Sequence, residues 1–211
     1  LNNQGEVEGL EALSLFSRQA VKRALASGRV ETPAALAELN VRSGNLMGGS
    51  EGVETFAVLE PVGTIVRHSR PRLSWQTLPG ASRYTVTVLN SNLQVVATSP
   101  PLSTTAWTVS RPLERGGVYT WEVSALKEGN EIGAPAAPAP EARFKVLEKA
   151  KEDELKRAEQ TSPRSHLLRG VLYAQAGLLI DAERELRALV NINPQSPLAR
   201  KLLQSVRRSK K

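Results

Sequence analysis

The chain has 211 residues, with 28 Lys and Arg against 21 Asp and Glu, a net charge of +7 and no cysteine. That length suits one or two ordinary domains or three small modules. The missing cysteine excludes disulfides, thiolate metal sites and cysteine nucleophiles without fixing a compartment, and the apolar runs are too short for a transmembrane helix.

The charge is uneven. Residues 148–211 hold 14 Lys and Arg against 8 Asp and Glu, leaving 14 against 13 for residues 1–147. The only histidines, His68 and His166, fall in different segments, so neither a His-based metal site nor a catalytic dyad is expected, and no cofactor motif is present.

The first segment, 1–52, is mainly helical. Leu13, Phe16, Ala20, Ala24 and Leu25 recur at helical spacing and Gly28 supplies a stop. Thr32 as N-cap and Pro33 at the first helical position predict a short second helix over Ala34 to Leu39. Ser43-Gly44 and Met47-Gly48-Gly49-Ser50 then read as a flexible joint. They are not a phosphate cradle, since the Lys-Ser/Thr ending of a P-loop is missing and no apolar strand leads in. So short a segment with few large apolar groups is marginal alone and is expected to dock on the next domain. The chain opens on Leu1 without an initiator Met or a leader, which reads as a processed or shortened protein with a signal or membrane anchor upstream.

The second segment, 53–147, carries strand periodicity. Leu73 and Trp75, then Tyr84, Val86 and Val88, alternate with polar neighbours around the Leu78-Pro79-Gly80 turn. Leu93, Val95 and Ala97 predict another strand, ended by Pro100-Pro101, and Thr105, Trp107 and Val109 the next. Tyr119, Trp121, Val123 and Ala125 put every large side chain on one face. Gly129-Asn130 offers a hairpin turn into a last strand ending Arg143-Phe144-Lys145-Val146, with Ala/Pro-rich residues 133–140 making that hairpin long and irregular. About seven strands with turns every 8–12 residues predict a two-sheet sandwich of immunoglobulin-like type. All three tryptophans fall on the apolar phase of their strands, which favours core packing over a sugar-stacking platform.

The third segment, 148–211, is helical. A charged helix over Lys149 to Gln160 is followed by Ser162-Pro163, a cap and first-position proline for the next helix. Leu167, Leu168, Val171, Leu172 and Tyr173 give that helix a wide apolar face up to Gly177. A second helix to about Asn191 places Ala182, Leu186, Leu189 and Val190 inward, and Ser196-Pro197 starts a last helix with Leu198, Leu202, Leu203 and Val206 on one stripe. Its basic end (Arg207, Arg208, Lys210, Lys211) suits the helix dipole, and it also suits an anionic membrane or an acidic partner.

Two families are resembled. Leu113-Glu114-Arg115-Gly116-Gly117-Val118-Tyr119, with Trp75 and Tyr84, is similar to the leucine, turn, tyrosine and core tryptophan of the fibronectin type III domain. Gly170, Tyr173, Gly177, Ala182, Leu186 and Pro194, at offsets 0, 3, 7, 12, 16 and 24, resemble the tetratricopeptide repeat, a helical hairpin of about 34 residues. Arg169 stands where that family usually has a leucine, and Leu189 where it has a small residue. The order of segments also resembles the extracytoplasmic part of uncharacterised bacterial membrane proteins in which an anti-sigma-factor-like zinc finger and a membrane helix come first. The residues behind this are Leu46-Met47-Gly48-Gly49-Ser50, the strand set from Trp75 to Trp121 and Tyr173-Ala174-Gln175-Ala176-Gly177.

These resemblances imply a multi-domain protein of both α and β structure, with a fibronectin type III-like sandwich between an N-terminal helical segment and a tetratricopeptide-like hairpin. The implied role is non-enzymatic: an extracytoplasmic or periplasmic interaction or scaffold module. In hairpins of this kind the first helix faces a partner, here through Arg164, Leu167, Val171 and Ala174, with Arg164 steering acidic partners. The partner is another protein; self-association as a structural subunit of an envelope assembly and a carbohydrate-binding accessory role are the alternatives. No acid/base carboxylate pair, nucleophile elbow or zinc spacing is present, and specific nucleic-acid binding has only the C-terminal charge in its favour.

Overall fold

A computed structural model describes residues 13–39, 55–137 and 139–210. They divide into two compact units: residues 13–34 with 149–210 form a helical unit, and residues 35–39 with 55–148 form a β unit. The first segment is therefore split between them. Its first helix belongs with the C-terminal helices, and only the second joins the sandwich. The expected glycine-rich joint at 43–50 lies outside the described residues.

In the helical unit, α1 (Leu15–Ser27) is capped by Ser14 and stopped by Gly28, whose φ of 69° places it in the left-handed region. It buries Ser17, Ala20, Val21 and Ala24, a narrow stripe of small side chains at helical spacing. α3 (Lys149–Thr161) matches the expected charged helix. α4 (His166–Gln175) begins later than expected: Ser165 rather than Ser162 is its N-cap, accepting from Leu168 N–H, and Pro163 and Arg164 sit in the turn before it. α5 (Leu179–Ile192) and α6 (Pro197–Ser209) follow, the latter with the predicted Ser196 cap and Pro197 at its first position. α4 packs against α1, α3 and α5, and α5 against α6. The α4–α5 crossing is tight because Gly170 has no Cβ; one placed there would lie 2.7 Å from Leu186 Cγ and Cδ2.

The β unit has α2 (Ala35–Leu39) packed on two of its strands. The strands are β1 (Val58–Glu60), β2 (Thr64–Val66), β3 (Arg72–Trp75), β4 (Arg83–Asn90), β5 (Val95–Thr98), β6 (Ala106–Thr108), β7 (Val118–Lys127), β8 (Asn130–Ala134) and β9 (Ala142–Val146). One sheet runs β1-β3-β6 and the other β2-β9-β7-β4-β5, with β8 also on β7. Only β2–β9 is parallel among these pairs. The two inner faces make a β-sandwich whose core holds Leu73, Trp75, Val86, Trp121 and Phe144. Trp75 and Trp121 are buried, their rings 6.5 Å apart, and Trp121 donates to Pro61 O at 2.9 Å. Trp107 is half-buried against the same core, so the expectation of three core tryptophans holds in full for two.

Other details depart from the sequence reading. The β7–β8 hairpin is a tight two-residue turn at Glu128-Gly129, both with positive φ, and the irregular stretch comes after β8 rather than in the hairpin. Residues 135–141 separate β8 from β9, which pair with successive stretches of β7. Leu93 is not in a strand; it lies in the β4–β5 turn at φ 59°, where Asn90 Oδ1 accepts from Asn92 and Gln94 N–H. At the start of β7, Tyr119 Oη donates to Glu114 O at 3.1 Å, and a Cβ on Gly117 would lie 2.7 Å from Tyr119 Oη. The glycine is thus required by the tyrosine that folds over it.

Candidate interaction surface

The four residues predicted to meet a partner do not form one open face. Arg164 is exposed, but it belongs to the turn before α4, not to the helix. Leu167 is half-buried. Val171 is 2% exposed and Ala174 is fully buried. The physical reason is that α4 packs against three helices, α1, α3 and α5, so little of its surface stays open.

The seat of α1 can be followed along its length. Ser14 N–H donates to Glu154 Oε1 on α3 at 3.0 Å. Ser17 Oγ donates to Gln175 Oε1 on α4 at 3.4 Å, and Gln175 lies one turn beyond Val171 on the same face. At the other end Gly28 rests on Lys201 of α6, where a Cβ would approach to 3.1 Å, and Val30 N–H donates to Ser205 Oγ at 3.2 Å. α1 thus spans α3, α4 and α6. A small cleft, open to solvent, runs between α1, α3 and α4 past Phe16, Lys151, Leu155 and Leu172. Phe16, which lines it, and its chain neighbour Leu15 are 62% and 71% exposed. Their exposure was not legible in the sequence, where Phe16 reads as part of the apolar face.

Glu183 and Glu185 in this unit each hold more than one cation. Glu183 accepts from Arg187 at 2.8 Å, Arg207 at 3.0 Å and Lys210 at 2.7 Å, and hydrogen bonds from Lys210 and Arg207 lead the causes that lower its carboxyl to about 2. Part of the basic C-terminal end is therefore tied to α5. Buried Glu185 accepts from His166 Nδ1 at 2.8 Å when that nitrogen is protonated, and pairs with Arg169 Nη2 at 2.9 Å. This accounts for Arg169 at a position expected to be leucine: its partner is supplied by the facing helix, 16 residues on. Among the described residues, no group of three or more His, Asp or Glu side chains is placed to hold a metal ion, and no helix is long and apolar enough to cross a membrane.

No protein-family model and no curated protein matches the chain. Among solved structures, the fibronectin type III domain of human collagen alpha-1(XX) chain is similar at 20% identity and a TM-score of 0.33, over 48% of this chain and 88% of that one.

Proposed function

We propose that the chain is a non-enzymatic interaction module in which a fibronectin type III-like sandwich acts as spacer and a tetratricopeptide-like helical unit docks a partner protein. The observation that carries this reading is the exposed pair Leu15 and Phe16, the second of which lines the α1–α3–α4 cleft. Two adjacent large apolar side chains left in water are the kind of feature a partner covers. The tetratricopeptide assignment draws support from the Gly170–Leu186 crossing and the proline-started α6. The fibronectin type III assignment draws support from the division into β1-β3-β6 and β9-β7-β4-β5 and from the Tyr119 corner. An extracytoplasmic site on a bacterial membrane is part of the proposal, on the resemblance of segment order alone.

The test is a pull-down from a membrane extract with the intact chain and with a Leu15→Glu/Phe16→Glu variant. Both side chains are exposed, so the variant should keep its far-ultraviolet spectrum and lose a stoichiometric partner that the parent chain retains. Retention of that partner by the variant would remove the site. A second reading, self-association as a structural subunit, is favoured by β5. This end strand leaves Val95 and Val96 exposed beside an unpaired edge, and sedimentation across a range of concentrations tests it.

A further inference from the structure

We infer that the face shared by α6 and the end of α1 docks on an anionic lipid bilayer, a role separate from the Leu15 and Phe16 site. From Pro194 onward the chain carries six Lys and Arg and no Asp or Glu. α6 turns Ala199, Leu202, Leu203 and Val206 inward, which leaves Arg200, Lys201, Arg207, Arg208 and Lys210 exposed.

The fold sorts these cations. Glu183 of α5 holds Arg207 and Lys210, so their charge is partly met. Lys201 and Arg208 lie on another stripe of α6, with Ser205 between them at helical spacing. Neither has an ion-pair partner among the described residues. The end of α1 adds a third cation. A Cβ on Gly28 would lie 3.2 Å from Lys201 Cβ, and Val30 N–H donates to Ser205 Oγ at 3.2 Å. The chain from Gly28 to Val30 therefore runs along α6, with both of those residues buried and Arg29 exposed between them. The carboxylate next in sequence, Glu31, is taken by Arg23 through bonds of 2.8 and 2.9 Å. Arg29, Lys201 and Arg208 thus make a cationic patch assembled from opposite ends of the sequence. Holding like charges together is unfavourable in the free protein, and an anionic surface relieves it.

The patch suits lipid headgroups better than nucleic acid. A base-stacking platform is missing: of the two aromatic residues described in the helical unit, Tyr173 is buried and Phe16 is about 20 Å away along α1. Leu198, half-buried with its Cδ1 3.7 Å from a Cβ on Gly28, continues the stripe one turn before Lys201. Long cationic stems beside a partly exposed leucine fit headgroup phosphates above an acyl boundary. Leu15 and Phe16, at the far end of α1, stay clear of such a surface.

The experiment is flotation of the full chain with vesicles of phosphatidylglycerol mixed equally with phosphatidylcholine. It is run at about 0.1 M salt, where charges screen over about 10 Å. Each basic residue near such a surface contributes about fivefold in partitioning, so Arg29→Glu/Lys201→Glu/Arg208→Glu should lose at least about a hundredfold. Arg29→Gln/Arg208→Gln, which leaves the Lys201 stem on Gly28, should lose about twentyfold. The control, Arg72→Glu/Arg83→Glu/Arg111→Glu, reverses three exposed cations of the β unit. It makes the same change in net charge and should stay within about threefold of the parent. An equal loss in the control would reduce the effect to net charge and overturn the patch. Failure of the parent to float with these vesicles, or equal flotation with phosphatidylcholine alone, overturns the lipid assignment. Tighter retention on duplex DNA or polyglutamate at equal charge concentration overturns it as well. The assay needs no partner protein, so its outcome is separable from that of the pull-down.

Discussion

Gly170→Ala provides a test of the helical unit in which the sign of the effect is informative. In the middle of a helix this change normally stabilises by about 1 kcal/mol through propensity alone. Here the new methyl would lie 2.7 Å from Leu186 Cγ and Cδ2, and Leu186 is fully buried. Overpacking of that kind costs about 1–3 kcal/mol, so a net loss of up to about 2 kcal/mol is expected. Leu186→Ala removes the obstructing atoms and by itself costs about 2–5 kcal/mol. In that background Gly170→Ala should turn stabilising by about 1 kcal/mol, a coupling of about 1–3 kcal/mol between the two sites. The assay separates the units cleanly, because Trp75, Trp107 and Trp121 all lie in the β unit. Denaturant unfolding followed at 222 nm should shift, and the tryptophan transition should not. If Gly170→Ala raises the midpoint of the helical transition in the parent background, the close crossing is wrong.

Glu183 gives a pH prediction. Its carboxyl sits near 2 in the folded chain because Lys210 and Arg207 hydrogen-bond the charged form. The stabilisation is present above its ordinary value of 4.5 and is lost as pH falls toward about 2. Glu183→Gln should therefore lower the stability of the helical unit at neutral pH and flatten its acid transition, as read by circular dichroism; an unchanged acid profile would contradict the pairing. Tyr119→Phe removes the bond to Glu114 O and should destabilise the β unit by about 1 kcal/mol, seen in the tryptophan transition and not at 222 nm. Ser165→Ala should cost the helical unit about 1 kcal/mol, because Ser165 caps α4; a comparable loss from Ser162→Ala instead would place the cap where the sequence alone suggested it.

Much of the β unit was legible because its signals are local. Tyr119, Trp121, Val123 and Ala125 alternate over a strand long enough to show its period, and all four are buried. β1 and β2 were missed because Val58-Leu59-Glu60 and Thr64-Ile65-Val66 do not alternate apolar with polar residues, whereas the equally short β6 sits within the alternating Trp107-Thr108-Val109. Leu93 misled because an apolar residue in a turn looks like the next beat of a strand until its positive φ is known. In the helical unit the caps at Ser196 and Gly28 are short-range and were recovered. The seat of α1 was not, for a different reason. Ser17, Ala20, Val21 and Ala24 specify a face but not what it meets, and its tie to Gln175 spans 158 residues. The Arg169–Glu185 pair left a trace in sequence, as a charged residue at a position expected to be apolar, but its partner needed the helix crossing to be known.

The docking claim is tested most directly by placing photoreactive benzoylphenylalanine at Phe16, and in a parallel sample at Val95, in the intact chain on membranes of the source organism. The account predicts one stoichiometric adduct with another protein from position 16, diminished by excess unlabelled chain, and none from position 95. Adducts from position 95 with a second copy of the chain, and silence at position 16, would contradict it and make the protein a self-assembling structural subunit.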